Sequence, residues 1–276
     1  MPSPETCAAI VAALRDAARA EILPRFRNLD QEEVETKSGP EDLVTVADRA
    51  AEAAIFARLG PLLPGATLLG EEISESDPGL LSALDGAGTV AVIDPIDGTW
   101  NYAHGLALFG IIAAIRAGGE TRFGALYDPV LDDWVTARAG QGAHIAREGV
   151  APRRLSVRGA RAPEDETGYL PLGLFAPDRQ AAVAARVPGF GRIQTLRCSC
   201  HEYRMLAQGH VDWLIAAQSK PWDHLAGQLI VTEAGGACGT LSGDAWDPSD
   251  TGQILMAASS ADRLEALRET FAPALG

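Results

Sequence analysis

The apolar positions near the N-terminus recur every three or four residues, which is the period of one helix face. They are Cys7, Ile10, Val11, Leu14 and Ala18. Ser3, Pro4 and Glu5 precede them in an order typical of a helix start, with a capping hydroxyl, a proline and then an acid in the first turn. The pattern predicts a helix from Pro4 to about Arg27.

A second helical pattern follows in the segment EDLVTVADRAAEAAIFARLGPLL. We expect Asp42 or Thr45 to open this helix, because both residues are good N-caps. Gly60-Pro61 is expected to stop it after Leu59, since proline cannot continue a helix ladder.

Apolar runs bounded by glycine, proline or aspartate predict strands. In the first half of the chain they are 66–72, 88–95, 108–118, 121–130 and 133–145. In the second half, strands at 192–197, 211–217 and 253–260 alternate with helices within 176–186 and at 201–210, 222–236 and 261–275. This alternation predicts a layered α/β (α+β) fold.

Residues 146–168 differ from both flanks, because they are charged and rich in proline and glycine. Such composition is typical of a boundary between compact units. We therefore predict an N-terminal half, 1–150, and a C-terminal half, 151–276.

The chain of 276 residues carries a formal net charge of −14. A nucleic-acid binder needs a basic face, so this charge argues against a nucleic-acid partner. Four arginines nevertheless cluster, and they form either a solvated loop or a local basic site. They are Arg153, Arg154, Arg158 and Arg161.

The sequence gives no sign of a membrane partner or of export. The apolar stretch 106–115 is too short to span a bilayer, and the N-terminus does not have the pattern of a signal peptide. The cysteines at positions 7, 198, 200 and 238 fit neither a disulfide scaffold nor the paired spacing of a zinc site. We expect a cytoplasmic protein with reduced, mostly buried thiols.

Acidic residues follow two of the predicted strands. Glu71 and Glu72 end the first run, and Asp94 and Asp97 flank the turn before Gly98. Clustered carboxylates repel one another unless a lysine, an arginine or a metal ion lies between them. Oxygen ligands of this kind, including the carbonyl between the two aspartates, suit Mg²⁺.

Each acidic motif has an ordinary explanation when it is taken alone. The D-x-x-D-G motif is common in capped surface turns, and Asp223, at the start of its predicted helix, resembles an N-cap. The conjunction is more informative, because these acids stand where apolar runs end, and sites collect there in α/β proteins. The sequence contains no EF-hand loop, Walker A loop or G-x-S-x-G elbow.

At these residues the sequence resembles the inositol monophosphatase family, the magnesium-dependent, lithium-sensitive phosphomonoesterases. Five stretches, in the family's order and covering roughly half of the chain, carry the resemblance. They are KSGPEDLVTVADRAAE (37–52), GEE (70–72), DPIDGTWNY (94–102), GALYDPVLDDWVTARAGQGA (124–143) and WDHLAGQLIVTEAGG (222–236).

The resemblance implies two Mg²⁺ ions and a weaker third one. Glu71, Asp94 and the Ile96 carbonyl would hold the first ion. Asp94, Asp97 and Asp223 would hold the second. Asp48 would lie near the third, with Lys37 on a mobile loop.

The resemblance also implies the catalytic and substrate-binding residues. Glu72 and Thr99 would orient or activate the attacking water beside the metal ligand Asp94. The backbone N–H groups of Gly98 and Thr99 would meet the phosphate of a small phosphate monoester, with Asp97, Asp223 and Arg197 bordering the substrate. The implied fold is a layered αβαβα sandwich of the inositol monophosphatase/sugar phosphatase type, commonly a homodimer.

Two positions depart from the pattern of family members that bind inositol. Ala216 stands where an acid would bind ring hydroxyls, and Arg197 stands where glycine is usual. Arg197 is either a substrate contact or a surface salt bridge. The substrate therefore stays open among inositol monophosphate, histidinol phosphate, a sugar bisphosphate and a nucleotide 3′-phosphate. A non-catalytic module that binds a metal or ligand is the alternative of another class.

Overall fold

The protein was analysed as a computed structural model, which describes residues 1–39 and 42–276. The segment 37–52, one of the five stretches above, therefore includes two residues, 40 and 41, that lie outside the described part. The helices are α1 (Pro4–Ala17), α2 (Val46–Leu62), α3 (Glu71–Ser76), α4 (Thr99–Ala103), α5 (Pro177–Ala184), α6 (Ser199–Ala207), α7 (Pro221–Glu233) and α8 (Ala261–Leu275).

The larger sheet has seven strands in the order β3-β4-β5-β6-β7-β8-β9. Its strands are β3 (Thr67–Gly70), β4 (Thr89–Asp97), β5 (Gly110–Ala117), β6 (Glu120–Asp128), β7 (Asp133–Arg138), β8 (Ala143–Arg147) and β9 (Val150–Arg154). Only the first neighbours, β3 and β4, run parallel, and the other pairs are antiparallel. Before this sheet, β1 (Val34–Gly39) and β2 (Asp42–Thr45) form a two-stranded hairpin.

The smaller sheet has five strands in the order β11-β10-β12-β14-β13. Its strands are β10 (Thr167–Tyr169), β11 (Arg192–Gln194), β12 (Trp213–Ala216), β13 (Ala237–Thr240) and β14 (Leu255–Ala258). The pairs β10–β11 and β10–β12 are parallel, and the remaining pairs are antiparallel.

The helices and sheets form the predicted αβαβα sandwich of five layers. Three apolar cores fill it, and one of them covers both sides of the central helical layer. Alternate residues of β4 show the layering, because Ala91 and Ile93 face the core under α1 and α2, whereas Val90 and Val92 face the core that contains α6 and α7. The central layer of α6 and α7 lies between the two sheets. The third core, which includes Phe271 of α8, closes the outer face of the smaller sheet.

Several predicted boundaries differ from the observed ones. Helix α2 begins after Thr45, not at Asp42, and continues through Gly60-Pro61 to Leu62. Proline is tolerated there because it lies in the last turn, where the Leu63 N–H still donates to the Leu59 carbonyl at 2.9 Å. The first helix gives way at Ala18–Ile22 to a π-helical turn.

The strand predictions also need correction. Residues 133–145 form two strands, β7 and β8, because a turn at Gly140 interrupts the run. The predicted strand 66–72 ends at Gly70, and its two acids begin α3. β9 extends the first sheet to Arg154, across the predicted division at residue 150, which stays a prediction.

Among residues 1–39 and 42–276, no helix combines the length and the apolar character that crossing a bilayer requires.

A glycine allows the central layer to approach the larger sheet closely. A Cβ atom at Gly124 of β6 would lie 2.9 Å from backbone atoms of Ala226 in α7. We expect Gly124→Ala to lower the free energy of unfolding by about 1–3 kcal/mol, because the helix backbone must shift. Urea unfolding measures this change.

Gly239→Ala is the matched control, because a Cβ atom in that strand would make only ordinary contacts at 3.4 and 3.5 Å. Equal losses of stability in the two variants would contradict the close packing of α7 on β6.

Candidate active site

A cavity of about 510 Å³ opens at the end of β4, between the two sheets. Strand β4 and the turn that follows it contribute Asp94, Asp97 and Thr99, and α7 contributes Asp223. The cavity is therefore built from both halves of the sequence. Glu71, Ile96, Gly98 and Arg197, predicted from sequence, also line it, whereas Glu72 and Asp48 lie behind its wall.

A bulge in β4 turns both of its aspartates towards the cavity. Asp94 pairs with Ile112 and Asp97 with Gly110, so β4 contains one residue more than β5 between these pairs. Residues three apart on a regular strand face opposite sides of the sheet. The extra residue of the bulge lets both aspartate side chains face the same side. The strand continues past Pro95, where the sequence had predicted its end.

Three aspartates bring their carboxylates together in the cavity. Oxygens of Asp94, Asp97 and Asp223 all lie within 4.8 Å of one another. Asp94 is 2% exposed and Asp97 is 7% exposed. Burial raises the pKa of all three carboxyls, and repulsion between them raises the pKa of Asp94 and Asp97 further, the latter to about 8.

This donor set fits a hard divalent cation. It consists of carboxylate oxygens from separate segments, with the Ile96 carbonyl also on the cavity wall. Such ligands match Mg²⁺ better than a soft metal that prefers sulfur. Asp223 lies in the first turn of α7, two residues after Pro221, and is not the N-cap that its sequence context resembles.

The N-terminus of α6 holds Asp97 in place. One oxygen accepts the Ser199 N–H at 3.1 Å, and the other accepts the Cys200 N–H and the Cys198 thiol, the thiol at 3.0 Å. These donors stabilise the ionised form of a carboxylate that burial destabilises. The sequence had indicated only that both cysteines are buried, as they are.

The GEE motif depends on a buried acid that the sequence analysis missed. Glu52 of α2 accepts the N–H groups of Glu72 and Ile73 at 2.9 and 3.0 Å, and so caps α3. A Cβ atom at Gly70 would lie 2.0 Å from a Glu52 oxygen, which is why a glycine precedes the two acids. Burial raises the pKa of Glu52 to about 7.

Lysines accompany the glutamates. The Lys37 ammonium lies 2.8 Å from Glu72 and 3.6 Å from Glu71, and the Lys220 ammonium lies 3.5 Å from Glu71. Burial raises the pKa of Glu72, and Lys37 acts in the opposite direction. The sequence analysis had considered a lysine, an arginine or a metal ion as the positive charge between clustered acids. In the structure, lysines lie beside the two glutamates.

Thr99 is joined to Asp48. Its hydroxyl lies 2.9 Å from the Ile96 carbonyl and 3.2 Å from one Asp48 oxygen. The other Asp48 oxygen accepts the N–H and hydroxyl of Thr45, as part of the capping box of α2. Burial raises the pKa of Asp48 to about 7. The sequence had grouped Thr99 with Glu72 instead.

Arg197 lies beside the Gly98 turn. Its guanidinium carbon is 4.0 Å from the centre of the Trp100 ring, a cation–π contact. Its φ of 55° is left-handed, which fits a position where the family usually has glycine. Gly98 also has a positive φ, 88°, and a Cβ atom there would lie 3.3 Å from the Arg197 carbonyl.

Asn101, which the sequence analysis missed, ties this turn to the segment before α6. Its amide donates to the Leu108 and Leu196 carbonyls at 2.9 and 2.8 Å. Another part of the cavity wall is largely apolar. It contains Leu172, Leu174, Ile215, Ala216 and Ala217.

Comparison with known proteins identifies the chain's relatives. The inositol-1-monophosphatase of Bacillus subtilis is 32% identical over 76% of this chain and 77% of its own length. The Nus factor SuhB of Escherichia coli K12 is 31% identical over 84% of both chains. The solved structure of a Thermotoga maritima IMPase superposes with a TM-score of 0.78 at 25% identity, covering 96% of this chain and 97% of that one.

The family model of the inositol monophosphatases matches residues 3–274, almost the whole chain. The match includes the acids of the cavity and the strands and helices that carry them. The chain therefore belongs to the inositol monophosphatase family.

Proposed function

We propose that this protein is a Mg²⁺-dependent phosphatase that hydrolyses the phosphate monoester of a small alcohol. The observation that carries the proposal is the convergence of three carboxylates in one cavity, those of the buried Asp94 and Asp97 and of the half-buried Asp223. Burying like charges together is unfavourable, and a divalent cation would relieve the repulsion. Membership of the family supports the same reaction class.

The residues that would hold Mg²⁺ are those the resemblance implied. Glu71, Asp94 and the Ile96 carbonyl would form one site, and Asp94, Asp97 and Asp223 the other. Bound ions of this kind supply charge neutralisation and a more acidic water. A third ion near Asp48 stays a prediction, because the Asp48 oxygens already accept hydrogen bonds from Thr45 and Thr99.

Thr99 is placed to orient an attacking water. Its hydroxyl hydrogen is directed to Asp48 or to the Ile96 carbonyl, which leaves an oxygen lone pair free to accept a hydrogen bond from water. Asp48, whose pKa is near neutrality, could hold a proton drawn through Thr99. Glu72, which does not line the cavity, would help to orient or activate the same water. No protein nucleophile is needed, and Gly98 and Thr99 N–H groups would meet the phosphate.

Inositol 1-phosphate is not expected to be the best substrate. Ala216 cannot accept hydrogen bonds from ring hydroxyls through its side chain, and its neighbours on that wall are apolar. Arg197 adds a positive charge at the cavity, and its planar fork suits a carboxylate or a second phosphate. Of the alternatives, a sugar bisphosphate carries such a second group, and histidinol phosphate and a nucleotide 3′-phosphate also stay open.

The net charge of −14 favours a small-molecule substrate over a nucleic-acid partner. A non-catalytic binding module is the competing class, and the retention of Glu71, Asp94, Asp97, Thr99 and Asp223 argues against it. Homodimer formation, lithium sensitivity and a cytoplasmic location stay predictions from the resemblance and the sequence.

The first prediction of function concerns the metal. Phosphate release should require Mg²⁺ and stop in chelator, and Asp94→Asn should lower kcat by roughly 10³ or more, because one ligand charge is lost. In chelator, the same variant should melt at a higher temperature than wild type, since one buried charge is gone.

Asp128→Asn is the matched control, a buried aspartate of β6 whose hydrogen bonds an asparagine oxygen can keep. Full activity in chelator would exclude the metal-dependent mechanism.

Thr99→Val should lower kcat by about 10²-fold with little change in KM, because the hydroxyl acts on the water and not on substrate binding. Thr270→Val is the control, since its hydroxyl likewise donates to a backbone carbonyl, that of Ala266, at 2.8 Å but in α8. Steady-state kinetics measure both. An unchanged kcat would reduce Thr99 to a turn residue.

The prediction for Arg197 concerns substrate choice. Esters that carry a second anionic group should exceed inositol 1-phosphate in kcat/KM, and Arg197→Gly should reduce their advantage by about tenfold. A panel of sugar bisphosphates, histidinol phosphate and nucleotide 3′-phosphates measures the ratio. Arg153→Ala, an exposed arginine of β9, controls for net charge. The idea fails if inositol 1-phosphate leads the panel.

A further inference from the structure

A short segment, residues 216–220, runs from the last residue of β12 to the start of α7 and forms part of the cavity wall; we call it the loop. Ala216, Ala217 and Gln218 line the cavity with uncharged side chains. Uncharged side chains contribute little to holding a phosphate or a metal ion, so they are placed to contact the alcohol part of a substrate. The conformation of this loop would therefore affect which alcohols fit.

The outer side of the loop is fixed at Ser219, which is fully buried. Its N–H donates to the Thr251 carbonyl at 3.0 Å, and its hydroxyl donates to the Asp250 carbonyl at 2.7 Å. The same hydroxyl accepts the Gln253 N–H at 3.0 Å. The loop is thus attached to the segment before β14.

The inner side of the loop faces His224, which lies in the first turn of α7 and is 3% exposed. The His224 ring lies near the Gln218 backbone carbonyl, both residues line the cavity, and the ring Nδ1 lies 3.1 Å from the Tyr203 hydroxyl. A carbonyl can only accept a hydrogen bond, so the tautomer with its proton on Nε2 suits this position and leaves Nδ1 to accept from Tyr203. The imidazole therefore bridges α6 and the loop.

Close packing between α6 and α7 holds the Tyr203 side chain, and with it the contact to His224, in one position. It is 1% exposed, and a Cβ atom at Gly227 of α7 would lie 2.2 Å from its ring, so the two helices hold the ring closely. Tyr203 also stands on α6, the helix whose first N–H groups bind Asp97. The hydroxyl thus connects the helix that holds a cavity carboxylate to the loop that lines the alcohol side.

We propose that Tyr203 and His224 are a pair of positioning residues that fix the 216–220 loop and so select the alcohol part of the substrate. The proposal rests on the phosphatase function proposed above. The pair acts on binding of the alcohol and not on the chemical step. Neither residue belongs to those proposed above to bind a metal ion or to activate the water.

The test compares Tyr203→Phe with wild type on the ester of highest kcat/KM in the panel above. The substitution keeps the aromatic ring of residue 203 but removes its hydroxyl, so the buried His224 Nδ1 loses its hydrogen-bond donor. We expect KM to rise about fivefold, the scale of one net hydrogen bond. The kcat and the inhibition constant of inorganic phosphate should change less than about twofold, because inorganic phosphate lacks the alcohol part that the loop is proposed to contact.

Tyr127→Phe is the matched control, because it removes another buried tyrosine hydroxyl, bonded to Asp132 at 2.9 Å, outside the cavity. His224→Gln, whose amide can both donate and accept, should keep KM nearer to wild type than His224→Leu does. Equal changes in KM and in the phosphate inhibition constant, or identical behaviour of His224→Gln and His224→Leu, would overturn the proposal.

Hydrogen exchange separates this proposal from the function on which it rests. Backbone amides of residues 216–220 should exchange faster in Tyr203→Phe than in wild type or Tyr127→Phe. If no ester is hydrolysed by wild type in Mg²⁺, the phosphatase function fails, whereas the exchange rates still report on the pair. Unchanged exchange in Tyr203→Phe would refute the positioning role.

Discussion

The repulsion among three clustered aspartates, two of them buried and one half-buried, is the constraint on which the rest of the structure depends. Asp94, Asp97 and Asp223 bring their oxygens within 4.8 Å of one another in a cavity that excludes much of the solvent. Taken alone, this arrangement destabilises the fold, because burial and like charge both oppose ionisation. Proteins retain such a cost where it serves a site, and here the stable sandwich around the cavity offsets it.

The layers of the sandwich explain how the acids are brought together. A bulge in β4 lets Asp94 and Asp97 face the same way, and α7, packed between the sheets, adds Asp223 from the other half of the chain. The close approach of α7 to β6 at Gly124 therefore bears on the site as well as on stability. Core packing and the proposed metal site both depend on the position of α7.

Hydrogen bonds then hold each acid at a defined place. The α6 N–H groups bind Asp97, Glu52 caps the helix that begins with Glu71, and Thr45 holds Asp48 against Thr99. The Tyr203–His224 pair belongs to the same kind of support, on the alcohol side of the cavity. Such supports would restrict the proposed metal ligands to one geometry. For the proposed phosphatase this matters, because positioning provides much of the catalysis of phosphoryl transfer.

The sequence by itself determined the layered fold, most of its helices and strands, and four acids that line the cavity, Glu71, Asp94, Asp97 and Asp223, because apolar periodicity and the acidic motifs are local features. Helix α8, predicted at 261–275, has those limits. Only the tertiary structure decided that Thr99 is joined to Asp48, 51 residues away, and that Asp97 is held by Cys200, 103 residues away. It also decided the bulge in β4 and the capping role of Glu52. These features depend on which segments the packing of layers brings into contact, and no local pattern records that.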